Sequence, residues 1–171
     1  DPFSTAPVTD LDSPLEQADL GSIRAMITPD LGSAAMSHAY SSIFADRTSH
    51  FRHHFAAAID ASPDFTDGDN CFEVLRGVNF VAAHGGRVRD HRDSLSPNVV
   101  DNVDRGLAYS LADVAEAHLQ QSRIARAWLD LFEDIDVVIC PAASSTPFPH
   151  DQWSVGEIDG DATALGAQVD G

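Results

Sequence analysis

The chain has 171 residues, enough for one domain with a real core, and its 43% hydrophobic content is ordinary for a globular protein. Its formal charge of −17 comes from 27 acidic residues against ten Arg and no Lys. That charge repels phosphate backbones and anionic lipid surfaces, so neither nucleic acid nor membrane is an expected partner.

Residues 1–20 are rich in Pro, Asp, Ser and Thr and read as a linker. Asp1-Pro2-Phe3-Ser4 has neither the basic nor the apolar region of a signal peptide, and no later stretch is apolar for long enough to cross a bilayer. A short strand is expected over 22–27, ending at the turn signal Pro29-Asp30-Leu31-Gly32. A long helix fits 34–60, with Ser33 as its N-cap. Met36, Tyr40, Ile43, Phe44, Phe51, Phe55 and Ile59 fall on one stripe of it, and Pro63 stops the pattern. An Asp or Asn of Asp67-Gly68-Asp69-Asn70 can cap the next helix. That helix is marked by Phe72, Leu75, Val78, Asn79 and Ala82 and is expected to end at Gly85-Gly86. Ser96-Pro97 opens a third helix through Val99, Val100, Val103 and Leu107. Ser110 with Asp113 three residues on is a capping-box pattern. It starts a long helix to about Glu133, with Val114, Ala117, Ile124, Trp128 and Leu131 inward. Val137-Val138-Ile139 then reads as a buried strand, followed by a Pro-rich irregular loop over 141–149. Residues 161–171 show no period and read as an irregular tail, so 21–160 is the expected folded unit. The two short strands have no obvious partners within such a mostly helical chain.

No constellation of residues specifies chemistry by itself. His50 and His54 lie four apart, as in a shared metal site, but the stretch holds no acidic residue and no third ligand is identifiable. These histidines read as a polar helix rim. Ser144 and Ser145 follow the last strand without a nucleophile-elbow motif, so they read as loop serines bonded to their own backbone. Asp134 and Asp136 read as solvated helix-end residues. Cys71 and Cys140 read as buried free thiols in a reducing cytoplasm. The Lys-free, Asp-rich surface keeps the chain soluble. It also suits a high-salt cytoplasm, although a biased genome base composition produces the same pattern more readily.

The order of segments is more informative than any single site. Asp1-Pro2-Phe3-Ser4, the run from Ile23 to Asp30-Leu31-Gly32, Phe72-Glu73-Val74-Leu75-Arg76, Leu95-Ser96-Pro97 with Gly106, and Ser110-Leu111-Ala112-Asp113 occur in sequence. They are followed by Phe132-Glu133-Asp134-Ile135-Asp136-Val137-Val138-Ile139-Cys140-Pro141, Thr146-Pro147-Phe148-Pro149 and Glu157-Ile158-Asp159-Gly160. The series resembles the region of amidase-signature hydrolases that follows their catalytic core.

The resemblance implies a partial α/β amidase-signature fold, mostly helical here, whose two short strands belong to a larger mixed sheet. It implies a parent that hydrolyses a carboxylic amide to acid and amine or ammonia, without metal or cofactor. The family's Ser–cis-Ser–Lys triad and Gly/Ser-rich signature have no counterpart in this sequence, so no catalytic residue is assigned and the chain alone is expected to be inactive. In the family this region shapes the substrate pocket, which makes Cys140, Pro141, Ala142, Ala143 and Phe148 the candidate substrate-facing residues. The implied partner is a small-molecule amide, with a homodimer as an open arrangement and a cytoplasmic location. Two rival readings remain: an amidotransferase subunit delivering ammonia to misacylated tRNA, and a non-enzymatic acidic helical interaction module.

Overall fold

A short 3-10 turn at Leu20–Ser22 leads into the first strand, β1 (Arg24–Ile27). The computed structural model describes residues 17–152 and 155–162. β1 is flanked in parallel by β2 (Ala57–Asp60) and β3 (Val137–Ile139), giving the strand order β2-β1-β3. Ile27 stands level with Asp60 on one side and Ile139 on the other, so all three strands end at one edge. The central position explains the burial of Ala25, Met26 and Ile27, because parallel sheets are covered on both faces.

The other end of the sheet is fastened by charge. The Arg24 backbone N–H donates to Asp136 Oδ2 at 2.7 Å, and its guanidinium donates to both carboxylate oxygens, Nε to Oδ2 at 3.1 Å and Nη2 to Oδ1 at 2.9 Å. Arg24 Nη1 also donates to the Glu133 carbonyl at 3.2 Å. These hydrogen bonds, the side-chain ones foremost, hold the Asp136 carboxyl down at about 2. A bidentate pair with a third bond to the backbone fixes register as well as contributing energy.

Between β1 and β2 runs α1 (His38–Phe51), capped by Ser37 Oγ, which accepts from the Tyr40 N–H at 3.2 Å. Between β2 and β3 lie three helices, α2 (Gly68–His91), α3 (Pro97–Ala108) and α4 (Leu111–Asp134). The α4 capping box is complete: Asp113 N–H donates to Ser110 Oγ at 3.2 Å, and Ser110 N–H donates to Asp113 Oδ2 at 2.7 Å. Cys71, Val74, Val88, Val103 and Ala117 form the core of this helical layer. The start of α2 is tied to α4 by Asn70 Nδ2 donating to Gln120 Oε1 at 2.9 Å and Cys71 Sγ donating to the Ala117 carbonyl at 3.4 Å. α2 crosses α3 backbone to backbone. A Cβ on Gly77 would stand 3.0 Å from Gly106 Cα, and one on Gly106 would overlap the Gly77 carbonyl. Glu157–Ile158 (β4) and Asp161–Ala162 (β5) form a two-residue antiparallel ribbon. Its turn, Asp159-Gly160, has positive φ at both residues, the geometry that favours Asp-Gly.

The structure departs from the sequence expectations at several points. The two short strands do have partners: they pair with each other, and a third strand, β2, lies inside the stretch read as one helix over 34–60. Ser37 rather than Ser33 starts that helix, which stops at Phe51. Ala57 and Ala58 are good helix formers, but pairing with β1 satisfies their backbone. Arg52 locks the arrangement, donating to the Ala58 carbonyl at 3.1 Å and to the Asp60 carboxylate at 2.8 and 3.2 Å. α2 passes through Gly85-Gly86 to His91, because burying Val88 compensates for two helical glycines. Its buried face is Cys71, Val74, Gly77 and Val88, which leaves Phe72 61% exposed. Cys140 is exposed rather than buried, and Asp136 is an ion-pair partner rather than a solvated helix end. The motif Asp1-Pro2-Phe3-Ser4, most of the 1–20 linker and most of the 161–171 tail lie outside the described residues.

Candidate substrate-facing site

Parallel strands that end together bring their following loops to one edge, the usual place for ligands in α/β sheets. Here those loops cover residues 28–37, 61–67 and 140–152. They are knitted together by backbone and hydroxyl groups. Thr28 is fully buried; its N–H donates to the Ile139 carbonyl at 3.0 Å, and its hydroxyl shares a 2.9 Å hydrogen bond with Ser62 Oγ. Ser37 N–H donates to the Ser144 carbonyl at 2.9 Å, which ties the start of α1 to the loop after β3. At Pro29-Asp30-Leu31-Gly32 the chain reverses with positive φ at Leu31 and Gly32, held by Gly32 N–H donating to Asp30 Oδ1 at 2.7 Å. His38 on α1 reaches the hairpin, with its Nδ1 3.1 Å from an Asp159 carboxylate oxygen.

Two clefts open along this edge. One of about 440 Å³ lies between α1 and the ends of β1 and β2. Ile27, Pro29, Phe44 and Ala61 give it apolar walls, and the Arg52–Asp60 pair adds charge. The other, of about 360 Å³, is lined by Gly32, Ser33 and residues 63–70. Asp64 there accepts from the Thr66 N–H at 2.9 Å, and hydrogen bonds from Thr66 hold its carboxyl below the usual range.

The five residues singled out in the sequence all sit on the loop leaving β3. Cys140, Ala142 and Ala143 are exposed, Pro141 is half-buried, and Phe148 is 43% exposed. None of them lines either cleft. Of the loop serines, Ser145 is bonded to backbone, its Oγ donating to the Thr146 carbonyl at 3.2 Å. The Thr28–Ser62 hydroxyl pair bonds no histidine or carboxylate among the described residues, so neither oxygen is activated as a nucleophile. The histidines are separated in role. His50 Nδ1 lies 2.6 Å from the Asp46 carbonyl, while the His53 and His54 rings meet at 4.1 Å between centroids, tilted by 40°. Among the described residues no group of three or more His, Cys, Asp or Glu is placed to hold a metal ion. Nor, among them, is any helix long and apolar enough to cross a membrane.

Reading the sequence missed Thr28, Arg52, Asp60 and Ser62 as edge residues. The signal was present in Ala61-Ser62-Pro63, a strand-to-loop exit, but it was hidden by the helical reading of 34–60.

No family model and no curated protein matches the sequence. Two solved structures match the fold. One is an amidase, with a TM-score of 0.73 and 16% identity over 88% of this chain. The other is a bacterial aryl acylamidase belonging to the amidase-signature enzymes, with a TM-score of 0.69 and 11% identity over 84% of this chain. The fold is that of part of an amidase-signature enzyme. The chain spans about a third of the length of the structures it matches, 34% and 32% respectively. Within this segment the described residues supply a sheet edge and its converging loops.

Proposed function

We propose that this chain is part of an enzyme that hydrolyses a carboxylic amide, a C–N bond other than a peptide bond, and that it contributes a wall of the substrate pocket rather than the catalytic groups. The observation that carries this reading is the fold likeness to an amidase over 88% of the chain. The absence of Lys fits it, since the triad base must then come from residues outside this chain. There a Lys would act as base through a bridging Ser, a second Ser would attack the carbonyl, and backbone N–H groups would stabilise the oxyanion. Neither metal nor cofactor enters that chemistry. The pocket wall is assigned to Cys140, Pro141, Ala142, Ala143 and Phe148, because they follow the carboxyl end of a parallel strand and all but the half-buried Pro141 are exposed. A phenyl ring that is 43% exposed on a Pro-rich loop suits the apolar part of a small amide.

The test is steady-state hydrolysis of an anilide by the longer polypeptide that contains this chain. Phe148→Ala is expected to raise KM about tenfold while changing kcat little, as loss of uniform binding requires. An unchanged KM for Phe148→Ala removes the pocket assignment. An inactive longer polypeptide with a Lys and a Ser/Gly-rich segment in place overturns the enzymatic reading.

A further inference from the structure

We propose that Asp159 is a positioning residue for the substrate-facing loop. From the turn of the β4–β5 hairpin it docks on the first turn of α1 and, together with Ser144, clamps the loop that carries Phe148. The inference rests on the reading of that loop as a pocket wall.

The first backbone N–H groups of a helix have no partner within it. At α1 they are satisfied from three places. Ser37 Oγ accepts from the Tyr40 N–H at 3.2 Å. The Ser144 carbonyl, on the loop after β3, accepts from the N–H of the buried Ser37 at 2.9 Å. The Asp159 carboxylate accepts from the His38 N–H. Two adjacent donors thus hold two distant points of the chain, and Phe148 lies between those points in the sequence. The start of the loop is fixed separately, where the Thr28 N–H donates to the Ile139 carbonyl at 3.0 Å. The pocket wall is therefore held at its root, at its middle and beyond its end.

The hairpin suits the delivery of that carboxylate. Asp159 has a φ of 52°, in the left-handed region that Gly, Asn and Asp tolerate best. Its neighbour Ile158 is buried, which anchors the ribbon. The Asp159 side chain also stands near the His38 ring, but that ring is 93% exposed and solvent screens the contact. The bond to the backbone is the stronger tie, because there a carboxylate meets the positive end of a helix. It joins residues 121 apart in the chain.

The test combines amide exchange read by mass spectrometry with anilide kinetics, both on the longer polypeptide that contains this chain. Asp159→Ala removes the acceptor. It is expected to speed exchange over residues 140–152 about tenfold, as local opening requires. It is also expected to raise KM about fivefold with kcat little changed. Asp159→Asn keeps an acceptor oxygen and a residue suited to the turn, so both readouts should return to within about twofold of the parent. His38→Pro removes the donor instead. Pro is favoured at the first helical position, and Ser37, with a ψ of 144°, already has the extended conformation that precedes a Pro. This variant is expected to loosen the same loop, and the double variant His38→Pro, Asp159→Ala to be no looser than either single one, since all three break one bond. Unchanged exchange over 140–152 in Asp159→Ala and in His38→Pro overturns the proposal. Faster exchange spread through α2, α3 and α4 overturns it as well, because it marks general destabilisation. Should Asp159→Ala fail to fold, His38→Pro carries the test. Faster loop exchange with an unchanged KM upholds the clamp and removes the pocket-wall reading.

Discussion

The sheet and the helical layer of this chain are held together differently. The helical layer rests on close packing: Gly77 against Gly106, Val103 with no exposed surface, and a capping box confined to four consecutive residues. The sheet is three short strands whose unity depends on contacts between distant parts of the chain. Arg24 reaches 112 residues along the chain to Asp136, and the Thr28 hydroxyl reaches 34 residues to Ser62. Packing constrains the first region and polar registration the second. The region held by the Arg24–Asp136 pair is also the one whose loops converge, which is where a substrate-facing edge belongs.

That contrast can be broken first at the helix crossing. Gly106→Ala drives a methyl group into the Gly77 backbone, where neither helix has a flexible side chain to yield. It is expected to destabilise the chain by about 3 kcal/mol in urea denaturation, the upper part of the overpacking range. A neutral effect would mean that α2 and α3 do not cross at these glycines. Val103→Ala, at a fully buried site, is expected to cost roughly 2 kcal/mol through lost transfer energy and a cavity. Ser110→Ala removes the acceptor for the Asp113 N–H and is expected to cost about 1 kcal/mol. Amide exchange in that variant should quicken in the first turn of α4 before anywhere else.

The sheet is expected to respond to pH rather than to volume. Asp136 has its folded value depressed to about 2, below the ordinary unfolded value near ~3.9. Its contribution is therefore complete above the unfolded value and is lost as pH falls through the folded one. Thermal melts from pH 5 down to pH 2 should show stability falling with pH, and Asp136→Asn should flatten part of that slope. Arg92, Ser110 and Thr66 likewise lower the Asp104, Asp113 and Asp64 carboxyls, so the residual slope in the variant is shared by the helical layer and the loop after β2.

The two regions were also unequally legible in the sequence. α3 and α4 carry their start signals locally, in Ser96-Pro97 and in Ser110 with Asp113, and both begin where those residues place them. Val137-Val138-Ile139 announced β3 by its β-branched run. β2 did not, because Phe51, Phe55 and Ile59 keep a helical period across a turn and a strand, and alanines favour a helix until a neighbouring strand claims their backbone. The inward face of α2 was misjudged for a related reason: its crossing is built on a glycine, which leaves no mark in an apolar pattern. The clefts at the strand ends depended on β2, so they were not readable either. The ordered motifs, by contrast, pointed to the amidase-signature fold that the two solved structures share with this chain.

The central claim, that this chain is a pocket wall of an amide hydrolase and not its catalytic centre, is tested most directly by assaying two polypeptides on one anilide. One is the 171-residue chain, and the other is the longer polypeptide that adds the Lys and the Ser/Gly-rich segment. The account predicts amine release by the longer polypeptide and none by the chain alone. Turnover by the 171-residue chain, with no Lys to serve as base, would contradict it.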